Sequence, residues 1–323
     1  MHTRYGPPDV VRITDVDRPT PEASELLVKV HATTVNRTDR GLRAAEPFVV
    51  RLFVGLRRPR MTVLGNEFAG EVVAVGDDVT SFGVGDRVFG YSGETFGAHA
   101  EYLIVPEDGS VATMPAGRSY VEAAPSTEGS HYALTLLQRA KVRSGQDVLV
   151  NGATGAIGSA AVQLVRSLGA NVTAVCATPH VALVKGLGAD RVIDYTVEDF
   201  TRDRQTYDVV VDAVGKSSFR RCLRMLKPGG IYISSDLGRF AQNPFLALVT
   251  PLFGGKRVMF PLPHDDQSLV RHLKGLIESG EFRPVIDRTY PFDEIVTAYR
   301  YVDTGEKVGN VVITLSPEAD RQP

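Results

Sequence analysis

The sequence predicts an α/β protein of two lobes, one β-rich and the other a doubly wound parallel sheet. Three observations carry this. Short β-branched runs broken by Gly, Asp and Pro extend to about residue 111, and past Ser119 the rhythm changes to strand, glycine turn and helix. The length of 323 residues also exceeds the roughly 100–200 residues of one ordinary domain.

In the first lobe, Leu26-Leu27-Val28-Lys29-Val30, Gly70-Glu71-Val72-Val73-Ala74-Val75-Gly76, Asp86–Gly90 and Ala100–Val105 read as strands of an antiparallel sheet. Pro106-Glu107-Asp108-Gly109 reads as a turn. A helical stretch over about 121–140 opens the second lobe. The strand Asp147–Val150 and the apolar runs Asn171–Cys176, Arg191–Ile193, Val209–Val211 and Ile231–Ser234 follow. The spacers between them are long enough for crossover helices, which makes the strands parallel. Their Val and Ile content suits strands covered on both faces. The tail holds an amphipathic helix over 267–279, a helix to about Val302, and a last strand, Val311–Thr314. A lone terminal strand needs a sheet to join, so the tail is assigned to the first lobe. The expected limits are 1–119 with 264–323 for the first lobe and 120–263 for the second.

Hydrophobic residues at 43%, charged residues at 23% and a net charge of -2 leave no basic stripe or acidic tail. No run of about 18 apolar residues occurs. Neither nucleic acid nor a membrane is an expected partner. The only cysteines, Cys176 and Cys222, lie in apolar runs and read as core thiols of a reducing compartment. Met1-His2-Thr3-Arg4-Tyr5-Gly6-Pro7-Pro8 lacks the apolar region of a secretory signal, so the cytoplasm is expected.

The strongest chemical signal is Val148-Leu149-Val150-Asn151-Gly152-Ala153-Thr154-Gly155-Ala156-Ile157-Gly158, a strand, a glycine turn and a helix start in succession. Glycines at 152, 155 and 158 remove Cβ atoms where a turn is tight, where backbone approaches a pyrophosphate, and where helix packs on strand. Gly152, Thr154, Gly155, Ala156, Ile157 and Gly158 are the expected phosphate-holding residues, using the free N–H groups of a helix N-terminus. A tight turn without a ligand has the same glycines, but strand before, helix after and further alternations favour a Rossmann dinucleotide site. At the end of the second strand, Val175-Cys176-Ala177-Thr178-Pro179-His180, no carboxylate awaits the ribose 2′-hydroxyl, as NAD-selective sites require. Thr178, His180 and Lys185 offer a hydroxyl and positive charge to a 2′-phosphate, so NADPH is the expected cofactor; a solvated helix face explains Lys185 equally well.

These residues, with Tyr5-Gly6-Pro7-Pro8-Asp9-Val10, Val35-Asn36-Arg37-Thr38-Asp39, Gly65-Asn66-Glu67-Phe68-Ala69-Gly70, Gly85-Asp86-Arg87-Val88-Phe89-Gly90, Leu187-Gly188-Ala189-Asp190-Arg191-Val192-Ile193-Asp194-Tyr195 and Leu226-Lys227-Pro228-Gly229-Gly230, resemble the quinone oxidoreductase branch of the medium-chain dehydrogenase/reductase superfamily. The resemblance implies a GroES-like catalytic domain built from both chain ends, a central Rossmann domain, and an active site in the cleft between them. It implies that Tyr195 lies near the adenosine phosphate. Val214, Gly215 and the Ser234–Leu237 loop would line the nicotinamide, and Lys307 and Asn310 would face the cofactor. Many relatives carry Arg or Lys after the Ser/Thr that ends the second strand; here Pro179 stands there, leaving His180 or Lys185 to meet the phosphate.

The superfamily's zinc enzymes carry Cys and His ligands at the positions of Asn36 and Asn66. An amide is a poor ligand for zinc, and no cysteine cluster exists for a structural metal, so no metal is expected. Without a Lewis acid the developing oxyanion needs hydrogen-bond donors and a proton source. Asn36, Thr38 and Asn66 are placed by the resemblance at the cleft floor, and Tyr132 is a candidate acid. Loop capping answers for the asparagines and core packing for Tyr132; His99 and His131 read as structural or surface residues. The apolar segments 47–59 and 240–249 suit a flat hydrophobic acceptor, or packing between lobes. The expected reaction is hydride transfer to a quinone or α,β-unsaturated ketone. Enoyl-thioester or polyketide-intermediate reduction is the enzymatic alternative, and an NADPH-binding scaffold without turnover is the non-enzymatic one. Lys256–Phe260 is the expected edge for a homodimer.

Overall fold

In the computed structural model, residues 1–262, 266–317 and 319–320 are described. The strands are β1 (Glu25–Val35), β2 (Glu67–Val75), β3 (Arg87–Tyr91), β4 (Tyr102–Pro106), β5 (Val111–Thr113), β6 (Asp147–Asn151) and β7 (Asn171–Cys176). They continue as β8 (Arg191–Asp194), β9 (Tyr207–Asp212), β10 (Leu226–Ile233), β11 (Arg257–Met259), β12 (Ile286–Pro291) and β13 (Asn310–Thr314). The α-helices are α1 (Arg37–Ala44), α2 (Arg51–Val54), α3 (Tyr120–Ala123), α4 (Glu128–Ala140) and α5 (Ala156–Ser167). Then come α6 (Val181–Gly186), α7 (Phe219–Cys222), α8 (Gln242–Val249), α9 (Gln267–Glu278) and α10 (Ile295–Thr304).

The chain divides into two compact units. One comprises Met1–Glu128, His264–Gly280 and Pro284–Pro323; the other comprises Gly129–Pro263 and Glu281–Arg283. The division falls nine residues beyond the expected 119/120 limit because α3 packs on β1 and β2 of the first sheet. The helix expected over 121–140 is two helices. Pro125, which lacks an N–H and cannot continue an α-helix, sits in the 3-10 turn Ala124–Ser126 between them.

The first unit is built on a sheet ordered β12-β13-β1-β2-β3-β5, with β4 also paired to β1. β13 joins β1 antiparallel, Val35 facing Val311, so the tail completes this sheet as expected. Phe68, Val28, Val88 and Val111 are fully buried between its faces. Each such side chain contributes about 1.5–3 kcal/mol by leaving water.

The second unit is a six-stranded sheet ordered β11-β10-β9-β6-β7-β8, in which each recorded pairing is parallel. Leu149, Val175, Val210, Tyr207 and Tyr232 form its core. Strand order reverses beside β6, so the carboxyl ends of β6, β7 and β9 open at the switch point where ligands bind in such sheets.

Candidate functional site

The glycine turn after β6 meets three different demands. Gly152 has φ +82°, and a Cβ there would stand 2.0 Å from Val214 Cγ1. A Cβ on Gly158 would stand 2.0 Å from Gly152 O, so only glycine lets the first turn of α5 close on the end of β6. Gly155 has ordinary angles, φ −72° and ψ 170°, and the nearest atom to its Cβ position is Gly152 O at 3.8 Å. Neither strain nor packing requires glycine at 155, and the space beside it is open. Gly155 caps α5 without a side-chain bond, leaving the leading N–H groups at Ala156, Ile157 and Gly158 facing outward with the positive end of the helix dipole. This cradle, which a side chain would fill, fits a pyrophosphate.

The wall beside the cradle is held by Asp212, buried at the end of β9. Its Oδ1 accepts from Asn151 Nδ2 at 3.0 Å and Gly215 N at 3.1 Å; its Oδ2 accepts from Tyr232 Oη at 2.7 Å and Ser217 N at 3.0 Å. Those bonds fix the Val214-Gly215 turn. Ser234 Oγ donates to the Asp212 carbonyl at 2.8 Å, and the Leu237 carbonyl accepts from Asn243 N at 3.1 Å. Val214, Gly215, Ser234 and Leu237 are thus gathered at the carboxyl ends of β9 and β10.

At the end of β7, Thr178 Oγ1 donates to Asp194 Oδ2 at 2.5 Å. This corrects the expectation that no carboxylate stands there: the acid arrives from the neighbouring strand, which a reading along β7 alone does not see. His180 caps α6, and Lys185 and Tyr195 are exposed.

In the first unit a buried polar cluster forms. Asn36 caps α1, its Oδ1 accepting from Asp39 N at 3.0 Å while Asp39 Oδ2 accepts from Asn36 N at 3.1 Å. That bond fixes the orientation of the Asn36 amide, so its Nδ2 faces Asn66 and donates to Asn66 Oδ1 at 2.6 Å. Both amide oxygens are thereby occupied. Asn66 Nδ2 is left buried without a partner. An N–H group cannot ligate a cation, so the pair does not fit zinc; it suits an oxygen atom. Among the described residues no group of three or more His, Cys, Asp or Glu is arranged to hold a metal.

Behind the amides lies a carboxylate pair that sequence reasoning passed over. Glu67 Oε1 accepts from Thr127 N (3.0 Å), Thr127 Oγ1 (3.1 Å) and Glu128 N (2.6 Å), and its Oε2 accepts from Thr34 Oγ1 at 2.6 Å. Thr38 Oγ1 donates to Glu128 Oε1 at 2.6 Å. Burial, then the neighbouring Glu128, pushes Glu67 above the usual carboxylate range; burial does the same to Glu128. Burial also pushes Asp39 up to about 7, and lowers the half-buried Lys307 despite the pull of Glu128 and Glu67. His99 is buried and structural: its Nε2 donates to the Thr34 carbonyl at 2.7 Å, and burial lowers it to about 4. Asn310 Nδ2 donates to the Val285 carbonyl at 3.0 Å, which ties it to its own loop. Tyr132 lies half-buried on α4 in the second unit.

Residues 22–116 match the family model described as an alcohol dehydrogenase GroES-like domain, and residues 187–313 that described as a zinc-binding dehydrogenase. A 2-methylene-furan-3-one reductase of Solanum lycopersicum is 32% identical over 97% of this chain and 77% of its own length. A chloroplastic NADPH-dependent alkenal/one oxidoreductase of Arabidopsis thaliana is 30% identical over 97% of this chain and 78% of its own. Among solved structures, the quinone oxidoreductase of Coxiella burnetii superposes with a TM-score of 0.87 at 27% identity, covering 98% of each chain. With a cradle that fits a pyrophosphate and this likeness along nearly its whole length, the chain is an oxidoreductase belonging to the medium-chain dehydrogenase/reductase superfamily.

Proposed function

We propose that this protein reduces a quinone or an α,β-unsaturated ketone with NADPH and without zinc. The observation that carries the reading is the Asn36–Asn66 amide pair, whose one unpaired group is a buried N–H donor where zinc relatives hold their ligands. Such a donor stabilises negative charge developing on an acceptor oxygen, and a conjugated carbonyl or quinone places its charge there. The reduced nicotinamide, when bound, supplies the hydride. Backbone N–H groups of Ala156, Ile157 and Gly158 would hold its pyrophosphate, with Val214, Gly215, Ser234 and Leu237 beside the cradle. His180, Lys185 and Tyr195 would meet a 2′-phosphate. The NADPH dependence of the Arabidopsis relative supports that choice.

The proton has a source beside the amides. Glu67 Oε1 already accepts three donors, so a proton on Glu67 belongs on Oε2, where it would donate to Thr34 Oγ1 and reverse the bond that the ionised carboxylate accepts. Thr34 Oγ1 lies 3.5 Å from Asn36 Nδ2. Thr38 orients Glu128 within the same chain of bonds, and Tyr132 is the second candidate donor. Lys307 lends positive charge to the carboxylates. The exposed Phe48, Leu52 and Leu56 offer apolar surface to a flat acceptor.

We further propose a cytoplasmic homodimer joined along β11. That strand is the edge of its sheet, and Leu248, Leu252 and Phe253 are 77–81% exposed in the adjoining segment. Among the described residues no helix is long and apolar enough to cross a membrane. The test is NADPH oxidation with a panel of quinones, enones and enoyl thioesters. Turnover of quinones or enones supports the reading; faster turnover of thioesters transfers it to enoyl reduction, and tight NADPH binding without oxidation refutes catalysis.

A further inference from the structure

In open parallel sheets the ribose next to adenine is read at the carboxyl end of the strand that follows the phosphate cradle, where an acid selects the free 2′-hydroxyl. Here that strand, β7, ends at Cys176 and continues as Ala177-Thr178-Pro179, with no acid of its own. The neighbouring strand provides one. Cys176 pairs in register with Asp194, the last residue of β8, and Tyr195 N donates to the Cys176 carbonyl at 3.1 Å. The two strand ends are therefore level.

The carboxylate is held in place at that level. Asp194 Oδ2 accepts from Thr178 Oγ1 at 2.5 Å, and Oδ1 accepts from Thr196 Oγ1 at 2.6 Å and Thr196 N at 2.9 Å. The Thr178 bond, then those of Thr196, hold the carboxyl below its usual range, so it is ionised throughout neutral pH. Two consequences follow for a 2′-phosphate. Thr178, while donating to Asp194, has no hydrogen left to donate to it, and the fixed negative charge opposes it. A ribose 2′-hydroxyl, by contrast, can donate to the carboxylate.

We propose that Asp194 is the cofactor-discriminating residue of this protein: it accepts a ribose 2′-hydroxyl and offsets the attraction of Lys185 and His180 for a 2′-phosphate, so that NADH and NADPH bind with comparable affinity. The inference rests on the reading that the cradle binds a nicotinamide dinucleotide, and it narrows the preference for NADPH without reversing it.

The experiment is calorimetric titration of the wild-type protein and Asp194→Asn with NADH, NADPH, 5′-AMP and 2′,5′-ADP. Wild-type Kd values for NADH and NADPH should lie within about tenfold of each other. Removal of the charge should tighten NADPH and 2′,5′-ADP by on the order of tenfold and leave NADH and 5′-AMP unchanged or weaker. Should the Asn variant fail to fold, Asp194→Ser replaces it, and the wild-type comparison of 2′,5′-ADP with 5′-AMP needs no variant. A wild-type preference beyond about tenfold, or a ratio that the substitution leaves in place, overturns the role of Asp194. Absence of binding by all four nucleotides overturns the dinucleotide reading itself, and the inference with it.

Discussion

Alanine at Gly158 should destabilise the fold, whereas alanine at Gly155 should leave folding nearly unchanged and weaken cofactor binding. At Gly158 the added Cβ would sit 2.0 Å from Gly152 O and 2.8 Å from Gly152 C, both backbone atoms that no rotamer change can move aside. The end of β6 and the start of α5 must separate by more than an ångström, which by the usual cost of overpacking destabilises the fold by about 1–3 kcal/mol. At Gly155 the nearest atom is 3.8 Å away and the backbone angles suit alanine. Losing a glycine cap costs about 0.5–1 kcal/mol, while the stiffer unfolded chain returns roughly 0.4–1 kcal/mol, so the net change in stability is near zero. The new methyl nevertheless occupies the space through which the N–H groups of α5 reach an anion. Losing one charge-assisted bond there, about 2 kcal/mol, weakens binding roughly thirtyfold. Thermal unfolding and NADPH titration of both variants check this. A Gly155→Ala protein that melts and binds as wild type refutes the cradle, and one that is destabilised as much as Gly158→Ala shows that both glycines serve packing alone.

Asn66→Ala removes the unpaired donor and should lower kcat by about a hundredfold with little change in KM, measured on a quinone. Glu67→Gln should change how stability depends on pH. The raised Glu67 carboxyl contributes stability that is present in the ordinary glutamate range and is lost as pH rises through neutrality; the amide does not titrate, so the variant gains on wild type by about 1–2 kcal/mol in chemical denaturation across that window. Tyr232→Phe removes a donor to Asp212 and should cost about 1 kcal/mol while raising the Kd for NADPH, because the Val214-Gly215 turn loses its fixed partner. Leu252→Glu should convert the proposed dimer to monomer in sedimentation, and a mass distribution unchanged from wild type would remove the β11 edge as the interface.

What could be read from the sequence was local in the chain or forced by pairing. The cradle is a contiguous run within which Gly158 answers Gly152, although Gly152 itself meets Val214 from a distant turn, and the terminal strand had to find a partner, which β1 provides. The break at Pro125 lay within reach, since proline cannot continue a helix. The acids were harder. Glu67 meets Glu128 across 61 positions, and Asp194 meets Thr178 across 16, through strand register that no local pattern encodes. Asn36 is the exception: loop capping was readable for it, and Asp39 three residues later is the partner that closes the capping box. Glu67 stood next to Asn66 in plain view, yet a lone acid acquires meaning only when Thr34, Thr127 and Glu128 close around it.

The central claim, that this chain's own amide donors rather than a metal support hydride delivery from a nicotinamide held at the cradle, is tested most directly by turnover of an enone with NADPH carrying deuterium at both C4 positions, before and after exhaustive chelation. The account predicts deuterium at the β-carbon of the product and a rate untouched by the chelator. Product without deuterium, or activity that chelation abolishes and zinc restores, would contradict it.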